Sequence, residues 1–138
     1  MSCSITGVGT SMIFIVDDNP TDIELTTIAL EATGREISVR SVTDGKSALT
    51  MLRNGLGVPE LILLDLKMPG MSGIEVLREI RADGCLREIP VVVVTSSSLE
   101  SDRSDAIAAG ASDYIQKPLA LDQFSKMLAS ILDRWLPN

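Results

Sequence analysis

Leu61-Ile62-Leu63-Leu64-Asp65 is the stretch that decides the fold. Four apolar residues in a row suit a strand buried on both faces, as in a parallel sheet covered by helices. An acid that ends such a strand is carried to the rim of the sheet. In open α/β sheets, ligands bind at the rim beyond the strands' carboxyl ends. Two other apolar runs end in the same way. Met12-Ile13-Phe14-Ile15-Val16 leads into Asp17 and Asp18, and Val91-Val92-Val93-Val94 leads into Thr95.

Stretches of helical period separate these runs. Asn19-Pro20 reads as a helix start, with Asn19 as N-cap and Pro20 at the first helical position. That helix runs to about residue 33, where Gly34 stops it. A weaker, alternating strand covers 37–42. A second helix follows Asp44 and ends at Asn54-Gly55. After strand 61–64 comes the turn Met68-Pro69-Gly70. Ser72-Gly73-Ile74-Glu75 then has the spacing of a capping box. The helix it opens reaches about Ala82, with Ile74, Leu77 and Ile80 on its apolar face. Pro90 introduces strand 91–94. Ser97-x-x-Glu100 repeats the capping-box spacing and reads as the start of a fourth helix, closed by Gly110. Strand 113–116 and a helix over about 119–135 complete the chain, with Leu121, Phe124, Leu128, Ile131 and Leu132 facing inward.

Five strands thus alternate with five helices. Strands separated by helices pair in parallel through right-handed crossovers. The expected fold is α/β: a doubly wound (βα)5 unit with a five-stranded parallel sheet in order 2-1-3-4-5. Residues 1–11 read as a flexible tail and 12–138 as one domain, with no effector domain.

Composition removes several function classes. The chain has 138 residues, 45% of them apolar and 22% charged, which fits one globular domain. With a net charge of −7 and no basic stripe, direct nucleic-acid binding is not expected. There is no histidine, so a His base, a Ser-His-Asp triad and His-ligated zinc are excluded. Cys3 and Cys85 supply neither a disulfide framework nor a metal-ligand spacing, and are read as two reduced thiols. No apolar run approaches the roughly 18 residues of a membrane span, and no signal peptide is visible. The expected location is the cytoplasm, without a membrane partner.

Parallel strands would bring Asp17, Asp18, Asp65, Thr95 and Lys117 to one edge. Lys117 precedes Pro118, which holds its backbone extended. Three carboxylates at close quarters repel one another unless a cation intervenes. A hard divalent ion such as Mg²⁺ prefers carboxylate and carbonyl oxygen. A lysine and a hydroxyl beside the same site would bind the remaining oxygens of a phosphoryl group. The combination fits a carboxylate nucleophile that accepts phosphate. Taken singly, each residue has a plainer reading: Asp65 as a turn residue, Asp18 or Asn19 as a helix cap, Thr95 as a β-former, Lys117 as a solvated charge. Their joint occurrence, each at the end of its own strand, is what points to chemistry.

Over about residues 11–135 the chain resembles the receiver domain of response regulators, the CheY-like family. The matching motifs are Asp17-Asp18, Asp65 with Met68-Pro69 and Gly73, Thr95, and Lys117-Pro118. The resemblance implies that Asp65 is the phosphorylated residue. It also implies that Asp18 and Asp65 ligate Mg²⁺ directly, that Asp17 acts through water, and that the Lys67 carbonyl supplies a further ligand. Lys117 would pair with the phosphoryl group and Thr95 would hydrogen-bond it. Tyr114 falls at the family's switch position, against a plainer reading as a partly exposed edge-strand aromatic. Lys67 and Ser97 fall at positions that tune loss of phosphate. Lys67 either obstructs the attacking water and prolongs the phosphate, or is a surface lysine without effect. The stretch from Leu86-Arg87-Glu88-Ile89-Pro90 to Val94-Thr95-Ser96 is similar to small stand-alone receivers that partner bacterial phytochromes.

The implied function is that of a single-domain response regulator in a two-component phosphorelay. It would take phosphate from a phosphohistidine on a histidine kinase or phosphotransfer protein. It would then signal to a downstream protein through helix four, strand five and helix five, as a monomer or a phosphorylation-linked homodimer. It would not be an enzyme beyond its own phosphorylation and dephosphorylation. Three rivals stand beside this reading. An Mg²⁺-dependent phosphohydrolase with Asp65 as nucleophile would want a second acid at 67, where Lys67 stands, and a cap insertion. A flavodoxin-like module would want a Ser/Thr/Gly-rich loop in place of Asp17-Asp18-Asn19-Pro20. A phosphate-independent adaptor of the same fold would leave the acids incidental.

Overall fold

A computed structural model describes residues 11–54, 58–118 and 120–136. Its elements are β1 (Ser11–Val16), α1 (Pro20–Glu31), β2 (Ile37–Val42), α2 (Gly45–Asn54), β3 (Leu61–Leu64), α3 (Gly73–Ala82), β4 (Val91–Thr95), α4 (Glu100–Ala109), β5 (Asp113–Gln116) and α5 (Leu121–Trp135). All strand pairs are parallel and the sheet order is β2-β1-β3-β4-β5. The expected fold class is therefore the observed one.

Strand alternation divides the core into two layers. Phe14, Val16, Ile62, Leu64, Val91 and Val93 pack with α2, α3 and Ala106 of α4. Ile13, Ile15, Leu61, Leu63, Val92 and Val94 pack with Ala29 and Leu30 of α1 and with Phe124, Leu128, Ile131 and Leu132 of α5. The strands β3 and β4, buried along their whole length, are the continuous apolar runs. At the edge, β2 alternates partly buried and exposed residues over its first four positions, because one of its faces meets solvent.

Several expectations about local structure need correction. Ser11 belongs to β1, where it pairs with Ile37 and its hydroxyl donates to Glu60, so it is not tail; the rest of the expected tail lies outside the described residues. The Ser97 capping box does not form. Helix α4 starts at Glu100 with Leu99 as an N-cap that makes no side-chain bond. On α3 the buried face is Val76, Leu77 and Ile80, whereas Ile74 is only partly buried. On α5, Leu121 is 44% exposed because it occupies the first turn, beyond the edge of the sheet. The expected start of that helix at Leu119 lies outside the described residues. Cys85 is disulfide-bonded, against the expectation of a reduced thiol. It sits exposed in the turn after α3. The chain's other cysteine, Cys3, lies outside the described residues. Among the described residues no helix is long and apolar enough to cross a membrane.

Candidate functional site

Register places the site. Val16 aligns with Leu64 across β1 and β3, and the Asp65 amide continues that ladder to the Val16 carbonyl at 2.9 Å. The acids that follow the two strands are thereby set side by side, where the strand order reverses between β1 and β3. Each of Asp17, Asp18 and Asp65 offers a carboxylate oxygen within 4.8 Å of the others. On the far side, Thr95 ends β4, and the Lys117 amide donates to its carbonyl at 2.7 Å. Thr95, Lys117 and the three acids thus meet at one edge.

A glycine permits the site's tightest approach. A Cβ on Gly73 would lie 2.2 Å from the Asp65 carbonyl oxygen and 2.7 Å from Leu66 Cα. The Gly73 amide donates to Leu66 at 3.0 Å. Ser72 caps the helix in a capping box with Glu75. Helix α3 therefore starts pressed against the backbone that carries the Asp65 carboxylate.

The acids are not equivalent. Asp17 is 3% exposed and both its oxygens are engaged: Oδ1 accepts from the Asn19 amide at 3.0 Å, Oδ2 from Lys117 Nζ at 2.9 Å. Asp65 is 9% exposed. Burial and the neighbouring Asp17 charge push its carboxyl up to about 6, against the opposing pull of Lys117 and the amides of Lys67 and Leu66. Burial alone would lower the Lys117 ammonium, but its bond to Asp17 and the charges of Asp17 and Asp65 outweigh this and raise it. Lys117 also reaches Asp22 Oδ2 at 3.2 Å. Asp22 was not among the residues picked out from sequence, and only its acidity in the first turn of α1 could have drawn notice.

The remaining expected residues are placed as follows. Thr95 is 1% exposed and its hydroxyl accepts from the Ser97 amide at 3.3 Å. Tyr114 packs its ring against the core, and its hydroxyl is buried without a hydrogen-bond partner. Lys67 Nζ pairs with Asp102 Oδ2 at 3.2 Å, and Ser97 donates to the same Asp102 oxygen at 2.5 Å. Asp102 gave no sign of itself in the sequence.

The arrangement suits a divalent cation. Three carboxylates converge within bonding range of a common ion, and oxygen is the donor that Mg²⁺ prefers. Both Asp17 oxygens already serve protein donors, the Asn19 amide and Lys117.

The family description "Response regulator receiver domain" matches residues 13–129. The chain belongs to the response regulator receiver family. It is 36% identical to the polar-differentiation response regulator DivK of Brucella ovis, across 89% of this chain and 97% of that protein. Several other curated relatives are longer, and the chain spans 23% to 53% of their length. Among solved structures, the phosphorylated cyanobacterial phytochrome response regulator RcpA superposes with a TM-score of 0.85 at 37% identity, covering 93% of this chain and 95% of that one. The Mn²⁺-bound form of response regulator Rcp1 gives 0.80 at 32% identity, covering 93% and 96%. The resemblance to receivers, and to those described with phytochromes, is thus met in both sequence and structure.

Proposed function

We propose that this receiver accepts a phosphoryl group on Asp65 from a phosphohistidine of a histidine kinase or phosphotransfer protein. The observation that carries the reading is the convergence of Asp17, Asp18 and Asp65 with Lys117 and Thr95 at one sheet edge. At neutral pH the Asp65 oxygen is ionised and carries the electron pair that attacks phosphorus. The new O–P bond forms as the donor's N–P bond breaks, and the departing imidazole nitrogen takes up a proton. Mg²⁺ at the acids, when bound, neutralises charge that builds on the phosphoryl oxygens. Asp18, Asp65 and the Lys67 carbonyl would hold it directly and Asp17 through water. Lys117 and Thr95 bind the phosphoryl oxygens by charge and hydrogen bond. Loss of phosphate is the attack of water on phosphorus, with the electron pair of the breaking P–O bond returning to Asp65 and inorganic phosphate leaving.

A protein donor suits the surroundings. Leu25, Pro118 and the exposed Leu121 line a groove of about 240 Å³ that includes Lys117, so a partner helix could bury apolar surface while it presents phosphate. Output runs through α4, β5 and α5 as a two-state shift in which Thr95 and Tyr114 move together. Helix α4 offers Leu99 and Ile107 to a downstream protein or to a second copy.

Intact-mass analysis after incubation with acetyl phosphate and Mg²⁺ tests the reading. The expected result is one labile phosphoryl adduct on the wild type and none on Asp65→Asn. A wild type without an adduct, or an adduct that persists on Asp65→Asn, overturns it.

A further inference from the structure

Asp102 joins two loops that flank the acceptor site. It sits in the first turn of α4 with its side chain 16% exposed. One oxygen, Oδ2, accepts from Lys67 Nζ at 3.2 Å and from Ser97 Oγ at 2.5 Å. Lys67 stands two residues after Asp65, and Ser97 two residues after Thr95. The Ser97 amide in turn donates to the Thr95 hydroxyl, and its Oγ accepts from the Leu99 amide at 3.2 Å. A continuous chain of polar contacts therefore runs from Thr95 through Ser97 and Asp102 to Lys67, across the ends of the adjacent strands β4 and β3.

This chain holds donors that a phosphoryl group would need. An ammonium two residues from Asp65 is the nearest mobile cation in sequence to a new dianion there. The Thr95 hydroxyl, now an acceptor for Ser97, must be free to turn. We infer that Asp102 is a positioning residue that latches Lys67 and the 96–99 loop in the resting arrangement, so that a phosphoryl group on Asp65 must win Lys67 from Asp102. The inference rests on the reading of Asp65 as phosphoacceptor. It gives Lys67 a defined place in the resting protein, and it makes the first turn of α4 the part released when the pair opens. A latch of this kind weakens phosphoryl binding by the stability of the contacts it holds.

The test is a titration with beryllium fluoride, a phosphoryl mimic, in Mg²⁺, followed by fluorine NMR on the full chain. Asp102→Asn keeps an oxygen for Ser97 and removes the charge that holds Lys67. Half-saturation is expected at roughly two- to five-fold lower concentration than for wild type, the span of one partly exposed ion pair. Asp102→Ala, which frees both contacts, is expected to shift at least as far. Two comparisons separate the latch from a general loss of negative charge or a packing effect. Asp105→Asn on the same helix should leave the midpoint unchanged, and the Asp102→Asn shift should vanish in a Lys67→Met background. An Asp102→Asn midpoint equal to or above wild type, or an equal shift from Asp105→Asn or in the Lys67→Met background, overturns the latch. A wild type that binds no beryllium fluoride overturns the phosphoacceptor reading itself.

Discussion

Lys117 Nζ lies 2.9 Å from Asp17 Oδ2 and 3.2 Å from Asp22 Oδ2. In this state the lysine belongs to the acids of the first strand and helix, and its tie to Asp65 is through charge alone. Lys117 neutralises a nearly buried carboxylate at rest, and on the proposed function it would also have to serve the phosphoryl group, so the two tasks would compete. Lys117→Met should destabilise the metal-free protein by about 3 kcal/mol, the cost of stripping a buried carboxylate of its partner. Mg²⁺ should return part of that loss, because a second cation then faces the same acids. Urea unfolding with EDTA or with Mg²⁺ measures both. A variant as stable as wild type in EDTA would mean that Asp17 is hydrated rather than held by the lysine.

Asp65 predicts a pH dependence with a definite sign. Its carboxyl is raised from 3.8 to about 6 in the folded chain, so the folded state holds the proton more tightly than the unfolded one. The stability this group contributes is complete below about pH 4 and is lost as pH rises through 6. In EDTA the loss should amount to at most about 3 kcal/mol. Asp65→Asn should remove that slope while leaving the rest of the profile in place. Mg²⁺ should stabilise the wild type more above pH 6 than below it, since the ion binds the ionised form. Equal slopes for wild type and Asp65→Asn in EDTA would count against this account of the site's electrostatics.

Gly73 is where the fold pays for proximity. Any side chain there meets the Asp65 carbonyl and Leu66 Cα, both backbone and unable to swing aside. Gly73→Ala should cost about 2 kcal/mol, in the range of overpacked sites. It should also slow acetyl-phosphate labelling of Asp65, because either α3 or the acceptor loop has to shift. Gly84→Ala is the comparison, since a Cβ there meets nothing within 4 Å. If the two variants label at the same rate, the close approach of α3 has no part in setting Asp65.

The division between what could and could not be read from sequence follows contact range. Asp17, Asp18, Asp65, Thr95 and Lys117 were legible because they stand at the carboxyl ends of β1, β3, β4 and β5, and a parallel sheet brings such ends to one edge. The strand order and the two-sided core followed from apolar runs separated by helical stretches. Asp22 and Asp102 were not legible: Asp22 meets Lys117 across 95 positions, and Asp102 meets Lys67 across 35, with no local pattern to announce either. The misread capping box has a local cause: the Ser97 hydroxyl donates to Asp102, five positions on, and accepts from the Leu99 amide. Arg81 is a further case. Its guanidinium donates to the carbonyls of Gly110, Arg87 and Ile89 and to Ser112 Oγ, tying α3 to the turns that lead into β4 and β5. In sequence it is one more charged residue near a helix end.

Arg81 yields a prediction of its own because it touches none of the acceptor residues. Arg81→Ala would leave the Ile89 and Gly110 carbonyls without their donor, and should lower stability by about 2–3 kcal/mol. Arg81→Lys should recover little of it, because an ammonium cannot reproduce a planar fork with four acceptors. Mg²⁺-dependent labelling of the folded fraction of either variant should match wild type. A loss of labelling in fully folded Arg81→Lys would place Arg81 in the signalling path rather than in the scaffold.

Tyr114 carries the opposite kind of imbalance. Its hydroxyl is buried and finds no partner, and burial, followed by the nearby charge of Asp102, pushes its ionisation upward. A hydroxyl taken from water without a replacement bond costs about 1–3 kcal/mol, whereas its ring gains by packing on the core beneath α4. The resting arrangement therefore holds a tyrosine whose ring is satisfied and whose hydroxyl is not. Tyr114→Phe keeps the ring and deletes the cost, so it should raise the stability of the unphosphorylated protein by about 1 kcal/mol. Thermal and urea unfolding without phosphodonor check this. A clear destabilisation would mean that the hydroxyl is hydrogen-bonded in solution, and that Tyr114 is held in place at rest rather than left with an unmet demand.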